Sequence, residues 1–151
     1  MQNATSIPRE YVDFIKCLAA VSATHRLRAS SAMAPFGLNP CESSIITCLA
    51  LDNTVNTIRD IALYLRTSKS LVSRSAEHLR QMGYIRTYVD PDDRRILYLE
   101  LMDKAQPAVE TLKDCIETFI REVTKGIAPE ELTAFKQTAG KLLRNVHQAQ
   151  L

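Results

Sequence analysis

A chain of 151 residues suits one domain, or one domain carrying extra helices, and a hydrophobic share of 46% can fill its core. Its four glycines (Gly37, Gly83, Gly126, Gly140) lie far apart, which excludes a Gly-rich phosphate loop or a dinucleotide fingerprint. The formal charge is only +2, and no apolar run approaches the roughly 20 residues of a membrane helix.

Met1 to Arg9 lack the basic-then-apolar order of a secretion signal, so a cytoplasmic location is expected. Residues 1–7 are polar and expected to fray. From Pro8, the residues Tyr11, Phe14, Ile15, Leu18 and Val21 recur at helical spacing, and the pattern can run to about Met33 before Pro35 and Gly37 break it. Asn39, Pro40 and Glu42 form a helix start of the capping-box kind, followed by a stripe of Ile45, Ile46, Leu49 and Leu51 as far as Asp52–Asn53. Thr57 caps a short third helix with Ile58, Ile61, Ala62 and Leu65. Ser68 begins a fourth, whose apolar face is Leu71, Val72, Ala76, Leu79 and Met82, and Gly83 stands where a left-handed terminal residue belongs.

The period then switches to two. Tyr84–Val89 and Ile96–Leu101 alternate, the second placing Leu97, Leu99 and Leu101 on one face, with the polar Asp90-Pro91-Asp92-Asp93-Arg94-Arg95 between them. This predicts a β-hairpin with a charged tip. After Asp103 the pattern is helical again through Val109, Leu112, Ile116, Phe119, Ile120 and Val123, with Pro107 implying a late start or a kink. Ala128-Pro129-Glu130-Glu131 opens a last helix containing Leu132, Phe135, Leu142, Leu143 and Val146.

Division of the charge locates a surface. Residues 1–56 and 103–151 are each balanced, so the whole excess lies in 57–102. Arg66, Lys69, Arg74, Arg80 and Arg86 there face Glu77 alone within 66–87, the footprint of a face that meets a polyanion. The cysteines Cys17, Cys41, Cys48 and Cys115 show no metal-ligand spacing and read as reduced thiols. Cys41 is the exception on physical grounds, because a helix start lowers a thiol pKa. His25, His78 and His147 belong to no nucleophile or metal motif, so an enzyme is not expected, and neither a metal nor a cofactor is called for.

Helix, tight turn, helix and two-stranded wing, in that order, make a winged helix-turn-helix, which residues 57–101 supply without a gap. A helix fits the major groove of DNA and presents its N-terminal residues to base edges and phosphates, the places held here by Ser68, Lys69, Ser70, Ser73 and Arg74. The tip arginines Arg94 and Arg95 can reach a neighbouring minor groove, with Asp93 holding one of them in place.

Those residues, with Ile61-Ala62, Leu65, Val72, Leu79, Gly83-Tyr84-Ile85 and Leu99-Glu100-Leu101, resemble the MarR family of bacterial transcriptional regulators over nearly the whole chain. The resemblance implies a mainly α fold with a small β-wing: a single 1–151 unit with a DNA-binding lobe at 39–101 and dimerisation helices at 8–34 and 103–148. It also implies a homodimer on a pseudo-palindromic operator of double-stranded DNA, with half-sites about 34 Å apart. By it, Ser68, Lys69, Ser70, Ser73 and Arg74 line the major groove and Arg95, positioned by Asp93, enters the minor groove. Family members are usually repressors released by a small lipophilic or phenolic effector, bound between the dimerisation helices and the DNA lobe, or by thiol oxidation. Cys17 lies roughly where peroxide-sensing members carry their reactive thiol. Arg66 stands where the family usually has Gly, so a left-handed Arg66 would carry strain on the order of 1 kcal/mol. The alternatives are a thiol-based redox regulator, with Cys17 or Cys41 as sensor, and a winged-helix interaction module that does not read DNA.

Overall fold

The computed structural model describes residues 8–52 and 54–148, the side chain of His147 excepted. The expectations for residues 1–7, Asn53 and His147 lie outside the described residues. Helix α1 (Arg9–Met33) is followed by a 3-10 turn at Ala34–Phe36, then α2 (Pro40–Leu51), α3 (Ile58–Leu65) and α4 (Lys69–Gln81). Strands β1 (Ile85–Val89) and β2 (Leu97–Leu101) precede a second 3-10 turn at Asp103–Ala105, α5 (Gln106–Val123) and α6 (Pro129–Gln148). The chain divides into two compact units, residues 1–116 and 117–151.

Local chemistry sets the helix starts of the first unit. The Asn39 side chain accepts the N–H groups of Cys41 and Glu42 at 2.9 and 3.0 Å, and Glu42 Oε2 accepts the Asn39 N–H in return at 2.9 Å. This reciprocal box satisfies donors that the first helical turn leaves open. Thr57 Oγ1 accepts the Asp60 N–H at the start of α3, and Ser68 Oγ accepts the Leu71 N–H at the start of α4. Pro107 falls in the first turn of α5, behind the 3-10 turn, where its missing N–H costs no intrahelical bond, so the long helix starts late.

Between α3 and α4 the chain turns on Arg66, which is left-handed at φ 51° and ψ 46°. It is the one non-glycine with positive φ among the described residues, and the turn closes with the Thr67 N–H on the Ala62 carbonyl at 3.0 Å.

The core of this unit lies where α2, α3, α4 and the sheet meet, filled by Ile45, Ile46, Ile61, Val72, Leu79, Ile85 and Leu99. Met33, Ala108, Val109 and Leu112 join the same cluster, so the first half of the apolar stripe at 109–123 packs inside its own unit. The strands pair antiparallel, with Ile85 opposite Leu101 and Val89 opposite Leu97. Of the leucines expected on one face of β2, Leu99 is buried and Leu101 half-buried. Leu97, at the tip end beyond the core, is exposed.

The second unit holds the end of α5 and α6. The Ala128 N–H donates to Glu131 Oε2 at 2.9 Å, which fixes the start of α6. Ile120, Val123, Phe135, Leu142, Leu143 and Val146 are exposed.

Candidate nucleic-acid interface

Packing of Val72, Ser75, Ala76 and Leu79 into the core turns the opposite face of α4 outward. On it Lys69, Ser70, Ser73 and Arg74 are exposed and follow one another at helical spacing. Ser68 is exposed as well; its oxygen is engaged as the helix cap, while the hydroxyl hydrogen remains a donor.

The Asp90 carboxylate anchors the start of the hairpin tip. Asp90 Oδ1 accepts the N–H groups of Asp92 and Asp93 at 2.8 and 2.9 Å, and Oδ2 accepts the Tyr98 hydroxyl at 3.0 Å. These bonds keep the Asp90 carboxyl below its usual range, and the same hydroxyl bond pushes the Tyr98 phenol up. Tyr98 stacks on Tyr88 across the strands with centroids 5.2 Å apart. On its outer edge β2 is joined by the segment before α3: the Leu99 N–H donates to the Asn56 carbonyl at 2.7 Å, and Thr57 bridges Tyr98. The wing is thereby tied to the start of α3.

Asp93 acts on Arg95 through the backbone. Its Oδ1 accepts the Arg95 N–H at 2.9 Å, and its carbonyl accepts the Ile96 N–H at 2.9 Å. Among the described residues the two side chains form no ion pair. Asp93 shapes the turn from which Arg94 and Arg95, both exposed, project.

Charge pairing sorts the cations that the sequence grouped together. Arg80 is held by Glu77 at 2.8 Å and Arg86 by Glu100 across the strands at 2.7 Å. The Arg80 contact, helped by Gln81, lowers the Glu77 carboxyl to about 2. Among the described residues Lys69, Arg74, Arg94 and Arg95 have no acidic partner. Cations without an acidic partner therefore stand on α4 and on the wing tip, where Arg94 and Arg95 follow three aspartates.

A cleft of about 660 Å³ opens between the first turn of α3, the start of α4 and the wing. Lys69, Asp93 and Arg95 line it, and so do Arg59, Asn56 and Thr57, which sequence reasoning passed over. The signal for Arg59 was present: it lies two residues past a helix cap, inside the segment holding the charge excess.

The thiols are dispersed. Cys17 is exposed on α1, Cys41 is half-buried in the first turn of α2, and Cys48 is buried, with its thiol pushed up to about 11 first by burial and then by Asp52. Among the described residues none forms a disulfide, and no three of His, Cys, Asp and Glu gather to hold a metal ion. No described helix is long and apolar enough to cross a membrane.

A helix-turn-helix whose second helix presents unpaired cations beside a two-stranded wing defines a winged helix-turn-helix protein. Residues 36–96 match the family model described as MarR family. Solved structures share the fold along nearly the full length. A MarR-family transcriptional regulator from Silicibacter pomeroyi has a TM-score of 0.78 at 20% identity, with 97% of both chains covered. A MarR transcriptional regulator from Methanosarcina mazei has a TM-score of 0.74 at 16% identity, covering 91% of this chain and 99% of that one. In the S. aureus MepR–DNA complex the values are 0.67 and 19%, covering 93% and 99%. The match to the MarR family model is confined to the winged lobe, and the chain as a whole has the fold of the solved MarR regulators.

Proposed function

We propose that the protein is a homodimeric DNA-binding transcriptional regulator, a repressor that leaves a pseudo-palindromic operator when a small lipophilic ligand binds. The observation that carries the reading is the sorting of charge: Arg80 and Arg86 are neutralised by Glu77 and Glu100, while Lys69 and Arg74 on α4 and Arg94 and Arg95 on the wing have no acidic partner among the described residues. Cations left unpaired on a protruding helix and hairpin suit phosphates and base edges. Ser70, Ser73 and Arg74 are assigned to the major groove, with Ser68 and Lys69 at the helix start, and Arg95 is assigned to the minor groove. A structural relative solved with DNA, S. aureus MepR, supports the same mode.

Dimerisation is supported by apolar surface. Tyr11, Phe14, Ile15, Leu18 and Val21 on α1 are exposed, as are Phe135, Leu142, Leu143 and Val146 on α6. Each large apolar side chain left in water forgoes about 1.5–3 kcal/mol of burial, and a second copy of the chain would recover it. Helices 8–34 and 103–148 are assigned this role.

For the effector, a cleft of about 470 Å³ lies within the first unit and is lined by Ala29, Cys48, Leu51, Tyr64 and Leu65, with His25 and Arg66 among its polar groups. Its lining includes the last turn of α3 and the left-handed Arg66, so an occupant would press on the turn that sets the angle of α4. Selection of bound sequences from random duplex DNA at fixed salt tests the reading. Palindromic sequences with half-sites about 34 Å apart are expected, and recovery of no enriched sequence overturns it.

A further inference from the structure

We propose that the cleft between α3, α4 and the wing seats a stretch of the DNA phosphodiester backbone, with Arg59 as its anchoring cation. The inference rests on the DNA-binding reading and adds to it a residue and a role. Three cations from three separate elements line this space: Arg59 from α3, Lys69 from α4 and Arg95 from the hairpin. None has an acidic partner among the described residues.

Two acids share the lining, and each has one oxygen engaged within the protein, leaving three cations against two carboxylates. Asp60 Oδ2 accepts the Thr57 hydroxyl at 2.7 Å, and Asp93 Oδ1 accepts the Arg95 N–H at 2.9 Å. Neither acid pairs with a cation among the described residues, which leaves the arginines and the lysine to a partner from outside. The neutral lining adds donors. The N–H groups of Ile58 and Arg59 fall in the first turn of α3 and have no intrahelical acceptor, while the Asn56 amide stands just before it. Cations, open N–H groups and an amide around one space form a site for anionic oxygen.

Topology selects the backbone over a base edge. In a helix-turn-helix the second helix enters the groove while the first crosses the sugar–phosphate chain, and Arg59 belongs to the first. The bridge between Thr57 and Tyr98 ties this turn of α3 to the wing, so the segments that carry Arg59 and Arg95 are joined beside one cleft. A phosphate contact made there orients α4 and carries no sequence information of its own.

The test measures affinity between about 50 and 200 mM salt for a duplex selected by the protein and for an unrelated duplex of equal length. Arg59→Ala is expected to weaken both by the same factor and to lower the slope of log affinity against log salt by about one per bound protomer. Arg59→Lys, which keeps the charge, should hold the slope near that of the unsubstituted protein. An unchanged slope in Arg59→Ala overturns the phosphate seat while leaving the DNA reading intact. Weakening confined to the selected duplex also overturns it, because Arg59 would then be reading a base. Failure of the unsubstituted protein to bind either duplex overturns the regulator reading, and the seat with it.

Discussion

Glu42 in the first turn of α2 meets His78 in the last turn of α4, Oε1 to Nδ1 at 2.7 Å, across 36 positions of sequence. The carboxylate is 2% exposed, and its other oxygen accepts the Asn39 N–H that completes the capping box. One buried group thus ties the start of α2 to the helix assigned to the groove.

Removal of either partner is expected to destabilise the lobe. His78→Ala leaves a buried carboxylate short of one bond, at a cost of about 1–3 kcal/mol; the lower end is expected because the His78 side chain is 54% exposed. Glu42→Ala loses the box bond as well and should cost more. Urea denaturation of both single variants and the double variant gives the coupling, expected at about 0.5 kcal/mol or more. A coupling of zero would show that the contact contributes nothing.

The turn at Arg66 stores strain that glycine would release. A left-handed L-residue costs roughly 1–2 kcal/mol, and the extra freedom of glycine in the unfolded chain offsets part of that. Arg66→Gly is therefore expected to gain about 0.5–1 kcal/mol, read as a higher urea midpoint at unchanged slope. A loss would mean that the arginine side chain supports the turn in a way its exposure hides.

On the wing, the backbone role of Asp93 separates it from Arg95. Arg95→Ala should weaken operator binding by about 1–3 kcal/mol with little change in melting temperature. Asp93→Asn keeps an oxygen for the Arg95 N–H and should bind DNA nearly as well as the unsubstituted protein. Asp93→Ala removes that acceptor and should bind less well. Equal losses in the Asn and Ala variants would point to the charge of Asp93 instead of its acceptor oxygen.

Acid should loosen the hairpin before it unfolds the lobe. The folded pKa of Asp90 lies below its unfolded value, so its contribution is complete above the ordinary carboxylate range, near pH 4, and is lost as pH falls through the depressed value. Glu77, lowered to about 2, should release Arg80 at the acid end. With no tryptophan in the chain, tyrosine fluorescence can follow the Tyr88–Tyr98 stack. Asp90→Asn should abolish the pH step in that signal, and a step that persists would assign it elsewhere.

Thiol chemistry distinguishes the effector reading from redox sensing. Exposed Cys17 should react with a maleimide first at neutral pH, and buried Cys48, with its thiol pushed up to about 11, only on unfolding. Peroxide is expected to leave DNA binding intact. Release reversed by a thiol reductant, and absent in Cys17→Ser or Cys41→Ser, would establish redox control in its place.

Features with local causes are legible in the chain before it folds. Asn39 with Glu42, Thr57 and Ser68 start their helices through bonds reaching two or three residues, and a change of period from 3.6 to 2 marks the wing. The winged order and the residues Ser68 to Arg74 follow from the same short-range rules. The assembled fold settled which cations are neutralised, because Arg86 meets Glu100 only once the strands pair in register. It likewise decided that Val109 and Leu112 face their own core, that Leu97 stays in water, that Glu42 holds His78, and that Arg59 lines the same cleft as Arg95. Capping and periodicity act within one or two turns of chain, whereas burial and ion pairing depend on elements dozens of residues apart being brought together.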